Sequence, residues 1–217
     1  MNHSFMTFDL LQKNKVYIII AVIIIGITAV NYQRSGGAKS NLVGFSDYGF
    51  TFFYPKGLNP WVTGLDDENV FDYTGSIQAS QSSGMFGFNL ENNEFALTWA
   101  TLEGEPSLEE VLDIHFQSAE INSIRRGRGI DIESDPVSYG EVNGHEAAYQ
   151  THLIELDMPD MDDPLYAKGI VAAWTCDVTG VSYDFYVLNW QTGTSPNISE
   201  ARLKEYLNTY IDIMECH

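Results

Sequence analysis

Fifteen consecutive residues, Val16 to Val30, contain nothing more polar than Tyr17 and Thr28, and Tyr32 extends the run to where an interface would lie. A run with no polar face makes a poor core helix in a globular domain, so it divides the chain before any other feature does. Lys13 and Lys15 precede it, and Arg34 with the linker Ser35-Gly36-Gly37 follows. The length sits at the short end of the roughly 17–25 residues that span hydrocarbon. It also fits a signal-peptide core of about 7–15 residues. The run is rich in Ile, the small-residue cleavage pattern after it is poor, and no Cys follows to take a lipid. These features favour an uncleaved single-pass anchor over residues 16–32, with a cleaved signal as the alternative. The expected order is a short cytoplasmic N-terminus (1–15), the anchor (16–32), a linker (33–44) and an extracytoplasmic domain (45–217).

The positive charges flanking the run give only a slight bias in orientation, with Lys13 and Lys15 before it and Arg34 and Lys39 after it. The two cysteines, Cys176 and Cys216, add to it. Widely spaced in one domain, they suit a single disulfide in an oxidising compartment. The glycosylation sequon Asn197-Ile198-Ser199 would be usable only on that side of a membrane. Charge narrows the partners. The chain has 11 Lys+Arg against 30 Asp+Glu, a formal net charge of −19. A surface that acidic repels a phosphate backbone, so nucleic acid is an unsuitable partner. With 44% hydrophobic and 13% aromatic residues, the chain can still bury a core.

The globular part reads first as strands. Tyr48–Tyr54 is aromatic and β-branched and is closed by Pro55-Lys56-Gly57. Val70–Tyr73, Ile77–Gln81 and Met85–Leu90 are short strand-like pieces, and Phe95–Thr101 alternates clearly. The period then changes. Ser107 and Glu110 are spaced as a capping box, and Leu108, Val111, Leu112, His115, Phe116 and Ala119 form a helical stripe ending near Ser123. Asn143-Gly144, between Val137–Val142 and His145–Leu156, is a hairpin signal. Ile130–Glu133 is a further strand, and a second hairpin joins Tyr166–Cys176 to Val181–Trp190. A final helix, capped by Ser199 or Asn197, buries Leu203, Tyr206, Leu207, Tyr210, Ile211 and Met214. Hairpin connections dominate, which predicts an α+β fold with a mainly antiparallel sheet and helices packed on it.

The run Gly49-Phe50-Thr51-Phe52-Phe53-Tyr54-Pro55-Lys56-Gly57 resembles the start of PsbP-like domains, named for an extrinsic photosystem II subunit. The order of elements matches as well, through the Ser-Leu-Glu-Glu helix start, the Asn-Gly-His-Glu turn and the C-terminal helix, over roughly residues 45–215. The Ran-binding Mog family shares that architecture. The resemblance implies an α/β/α sandwich on an antiparallel sheet of about six strands, in a domain serving as an accessory or assembly subunit at a membrane complex. The chain departs from the plant pattern. An anchor stands in place of a transit peptide, and Trp174-Thr175-Cys176 and Cys216-His217 are additions. Partner, ions and activity are therefore not carried over.

Catalytic motifs are missing. His145-Glu146-Ala147-Ala148-Tyr149 begins like a zinc-protease motif, but Tyr stands where the second His belongs, on a strand rather than a helix. Gly44-Phe45-Ser46-Asp47-Tyr48 lacks the second glycine of a nucleophile elbow, and no phosphate-binding glycine pattern occurs. Three ligand or partner sets stand open. Cys176, Cys216 and His217 could hold zinc, with a disulfide as the plainer reading. Glu155, Asp157, Asp160, Asp162 and Asp163 could wrap Ca²⁺, with a solvated loop as the plainer reading. Arg125, Arg126 and Arg128 are the one basic cluster of an acidic domain, either complementing a helix C-terminus or docking an acidic partner. The expectation is a membrane-anchored binding or accessory module for an unidentified protein partner. It needs no cofactor and performs no catalysis. The alternatives are a hydrolase with an unrecognised site and a sensor of Ca²⁺ or a small ligand.

Overall fold

Long antiparallel pairings organise the domain. The structure, a computed structural model, describes residues 41–66, 70–71, 76–104, 106–159 and 161–217; the His115 side chain also falls outside it. The apolar segment 16–32 is outside these residues. Among those described, no helix is long and apolar enough to cross a membrane.

Among the described residues, eleven strands and two helices follow in order. The strands are β1 (Leu42–Phe45), β2 (Phe50–Pro55), β3 (Trp61–Thr63), β4 (Ser83–Leu90) and β5 (Asn93–Ala100). Helix α1 (Leu108–Arg125) leads to β6 (Gly129–Ser134), β7 (Ser138–Val142), β8 (His145–Asp157), β9 (Leu165–Thr175) and β10 (Ser182–Thr192). Helix α2 (Glu200–Ile211) and β11 (Glu215–Cys216) end the chain.

The main sheet has eight strands, ordered β3-β4-β5-β10-β9-β8-β6, with β7 also on β8. The expected count of about six is therefore too low. The thirteen-residue β8 explains part of the difference, because it pairs β7 through His145–Tyr149 and β6 through His152–Asp157. The strand expected at Tyr48–Tyr54 forms over Phe50–Pro55, but outside the main sheet. Tyr48 and Gly49 take positive φ, so pairing begins at Phe50, and β2 joins β1 and β11 in a separate three-stranded sheet. Ile77–Gln81 forms no strand, because its polar groups bond outward. The Ile77 carbonyl accepts Gly64 N–H at 2.9 Å, and the Ser80 carbonyl accepts the Trp99 indole at 2.9 Å. Of Val70–Tyr73, the described part is a single bridge between Leu65 and Phe71.

Both faces of the sheet are covered, which is the α+β sandwich expected. Phe95, Leu97 and Trp99 on β5 and Tyr183, Phe185 and Val187 on β10 pack against β2 and the buried face of α2. Ala96, Val171, Ala173, Tyr186 and Leu188 point to the other face, beneath Val111, Leu112 and Phe116 of α1. Alternation along each strand sends successive side chains to the two layers.

Local signals set the joints. Ser107 accepts from Glu110 N–H while the Glu110 carboxylate accepts from Ser107 N–H, completing the capping box. Ser199, not Asn197, caps α2. Asn143 (φ 51°) and Gly144 (φ 84°) turn β7 into β8 with both central residues left-handed, the turn that matches strand twist. Asn143 does a second job, since its Nδ2 donates to the carbonyls of Ile211 at 2.7 Å and Met214 at 2.8 Å beyond the end of α2.

Candidate functional site

The end of α1 builds the mouth of a cleft. Gly127 takes φ +66°, Gly127 N–H donates to Ile124 C=O at 3.0 Å, and Arg128 N–H donates to Ser123 C=O at 2.9 Å. Those two bonds are a Schellman stop, which reverses the chain into β6. The helix therefore runs two residues past the expected Ser123, and the three arginines end up on different duties. Arg125 pairs with Asp66, whose other oxygen accepts Val70 N–H at 2.9 Å, so it fastens the helix end to a loop. Arg126 and Arg128 border the cleft and form no ion pair among the described residues.

The cleft lies between α1 and the central sheet and has a volume of about 190 Å³. Phe116, Ala119, Ile130, Ile154, Leu156 and Leu188 give it apolar walls. One carboxylate reaches it. Glu94 stands at the start of β5, where Tyr186 O–H donates to Oε1 at 2.9 Å and Trp190 Nε1–H donates to Oε2 at 2.9 Å. Desolvation pushes the Glu94 carboxyl above its usual range, and the two donors offset only part of that. Asn122, also on the wall, holds the helix in place by donating to Phe71 C=O at 2.8 Å. The arrangement offers an apolar chamber, a carboxylate engaged at both oxygens and two guanidinium groups at the entrance.

The cysteines and the other expected ligands are distributed differently. Cys176 and Cys216 form a disulfide with Cα atoms 6.5 Å apart. His217 is not in the group of ligand atoms around it, and its ring bonds the Thr51 hydroxyl at 3.0 Å. The histidine that approaches the sulfurs is His145, with Nε2 3.7 Å from Cys216 Sγ and Nδ1 3.3 Å from Asp177 Oδ2. Sulfur, imidazole and carboxylate stand in the sequence of a nucleophile, base and orienting group. With the sulfur bonded in a disulfide, no thiolate is on hand to attack.

The described members of the acidic set do not form one group. Glu155 and Asp157 lie on β8, opposite Asp131 and Gly129 of β6, while Asp162 and Asp163 are exposed beyond it. Asp160 is outside the described residues. Among those described, the one group of three or more metal-ligating side chains is His145, Cys176 and Cys216. Asn197 is exposed, in the segment before α2.

Sequence reasoning missed Glu94, Tyr186, Trp190 and His145 as partners. It also passed over two buried ionisable groups on the α1 face. His152 is 3% exposed, with its ring 3.9 Å from that of Phe116 and Nδ1 2.8 Å from the Ser134 hydroxyl. Asp184 is 1% exposed in the middle of β10. A carboxylate inside the run Tyr183–Leu188, otherwise apolar, was the available signal.

No protein-family model matches the sequence, and no characterised protein matches it by sequence. Among solved structures, the solution structure of cyanobacterial PsbP (CyanoP) from Synechocystis sp. PCC 6803 aligns with a TM-score of 0.50 at 12% identity, over 82% of this chain and 93% of that one. The Saccharomyces cerevisiae Ran-binding protein Mog1p aligns at 11% identity over 78% of this chain and 84% of its own, with a TM-score of 0.33. The likeness to CyanoP shows a shared fold.

Proposed function

We propose that residues 45–217 are a non-catalytic binding module, held outside the cytoplasmic membrane by the apolar segment 16–32, with the cleft beneath α1 as the surface that receives a protein partner. The make-up of the cleft carries this reading. Its one carboxylate is engaged by Tyr186 and Trp190, which suits a fixed wall better than a group that exchanges protons with a substrate. The volume of about 190 Å³ is below the roughly 300–1,000 Å³ that encloses a drug-sized ligand, and suits one large apolar side chain. Arg126 and Arg128 at the mouth suit carboxylates flanking that side chain. The partner segment is accordingly acidic with an embedded aromatic or aliphatic anchor, which matches the accessory role that the PsbP resemblance implies.

A synthetic peptide with one Phe flanked by Asp and Glu tests the cleft. Saturable binding to the full-length protein in detergent is expected, reported by Trp190 fluorescence, and Arg126→Glu/Arg128→Glu is expected to weaken it at least tenfold. Equal binding by the charge-reversed variant, no saturable binding, or cleavage of the peptide would reject the reading. Orientation has its own test. Protease added to intact cells is expected to remove the domain, and protection of residues 36–217 would reverse the assignment.

A further inference from the structure

The corner of the domain holding the disulfide contains more than a cross-link. One ligand atom from each of His145, Cys176 and Cys216 lies within 4.8 Å of the other two. The imidazole is aimed, with Nε2 3.7 Å from Cys216 Sγ. With zinc–nitrogen and zinc–sulfur bonds of about 2.0–2.1 and 2.3 Å, two ligands on one tetrahedral ion stand ~3.6 Å apart. The His145–Cys216 spacing is already that of a shared ion.

Asp177 supplies the second observation. Its Oδ2 lies 3.3 Å from His145 Nδ1, on the side of the ring away from the sulfurs. That buried nitrogen makes no hydrogen bond among the described residues, so it is open to take the exposed carboxylate as its acceptor once a metal holds Nε2, as in metal sites where a carboxylate orients a ligating histidine. The third is room. A hollow of about 240 Å³, bordered by Asn143, His145, Trp174, Val178 and Met214, opens beside Cys216. Cys176 is fully buried, whereas Cys216 sits on the two-residue strand β11 next to the C-terminus, so it is the sulfur able to move.

We propose that reduction of the Cys176–Cys216 disulfide creates a zinc-binding site with His145 Nε2, Cys176 Sγ and Cys216 Sγ as ligands, Asp177 orienting the imidazole, and water from the hollow completing the tetrahedron. A dithiol reductant supplies the electrons. Its two thiols become a disulfide, the Cys176–Cys216 bond breaks, and each sulfur takes one proton. Binding Zn²⁺ then releases both protons to solvent as the thiolates ligate the ion. The sulfurs must part to ~3.8 Å, which a shift of β11 allows. Where the disulfide is maintained the site is closed, so zinc occupancy reports the redox state of the compartment.

Cobalt(II) is the probe, because thiolate ligation and tetrahedral geometry both show in its visible spectrum. The reduced full-length protein, under exclusion of oxygen, is expected to bind one Co²⁺ per chain with sulfur-to-cobalt charge-transfer bands, and Zn²⁺ should displace it. The oxidised protein should show neither band. His145→Ala should keep its disulfide and oxidised melting temperature but bind cobalt at least tenfold more weakly, and Asp177→Asn should weaken it by about 10–100-fold. Reduced protein without charge-transfer bands, or cobalt binding indifferent to His145→Ala, would overturn the site.

Discussion

Asp184→Asn is expected to stabilise the protein by roughly 3–5 kcal/mol near pH 8, and to remove a loss of stability that the unmodified chain undergoes between about pH 6.5 and 8. Asp184 lies in the middle of β10, between Thr98 of β5 and Ala173 of β9, and its Oδ1 has no hydrogen-bond partner among the described residues. Burial pushes its carboxyl up to about 8 from a usual 3.8, with the adjacent Thr98 hydroxyl working weakly against it. The fold therefore prefers the protonated acid. Its contribution is complete below pH 3.8 and is lost as pH rises to about 8, because only the unfolded chain ionises over that range.

His152 has the opposite dependence. Burial holds it at about 4 against 6.5, so its contribution is present above pH 6.5 and is lost as pH falls toward 4. Between about pH 4 and 6.5 the two slopes cancel. Above 6.5 His152 no longer offsets Asp184, which then contributes up to about 1.4 kcal/mol per pH unit. Asn keeps the shape and never ionises, so the variant should decline less than the parent above pH 6.5 and should show the acid-side decline due to His152. Repulsion among the surface carboxylates is common to both proteins and drops out of the difference. Urea unfolding at about pH 5, 6.5 and 8 measures it. A variant that follows the parent protein from 6.5 to 8, or is less stable at 8, would mean that Asp184 is ionised and compensated in the fold.

What could be read from the sequence was local. The Ser107–Glu110 box, the Asn143-Gly144 turn and the stripe of α2 each depend on residues a few positions apart; the first two formed as expected, and the stripe did so at Leu203, Leu207, Tyr210 and Ile211, with Tyr206 half-buried and Met214 beyond the helix. The cysteine pair was legible for another reason, since a chain with only two cysteines allows a single intramolecular pairing. The sheet was legible in kind but not in extent. Nothing in the spacing reveals that β8 carries two partners along one edge, or that β2 leaves the main sheet to join the C-terminus. The cleft was the least legible, because Glu94 meets Tyr186 and Trp190 across 92 and 96 positions. A glutamate at the head of an alternating strand reads as a solvated strand end until the neighbouring strand is known. His145 was considered as half of a helical zinc motif and set aside on sound grounds. Its actual partners, Asp177 and Cys216, come together through two hairpins and the return of the chain after α2.

That return of the chain makes Cys216→Ser the other large effect. The disulfide joins residues 40 positions apart, and closing a loop of that length stabilises a domain by about 4 kcal/mol in the chain-entropy account. For a domain of this size, the expected fall in melting temperature is about 10 °C. The bond also has little local help. β11 pairs only Glu215 with Thr51 and Cys216 with Phe50, and beyond it His217 N–H donates to Gly49 C=O at 3.0 Å. So short a strand frays without a covalent tie. The Asn143 side chain holds the preceding turn at Ile211 and Met214, so fraying should stop there and leave α2 in place. Hydrogen exchange should accordingly accelerate at residues 215–217 and at the facing amides of β2, while the Leu203–Ile211 amides keep their protection. Reducing the unmodified protein in the absence of metal should reproduce the same fall in melting temperature, which separates loss of the cross-link from any effect of the serine itself. Unchanged melting in both the variant and the reduced protein would show that β11 and the aromatic layer around Phe50 hold the C-terminus without the bond.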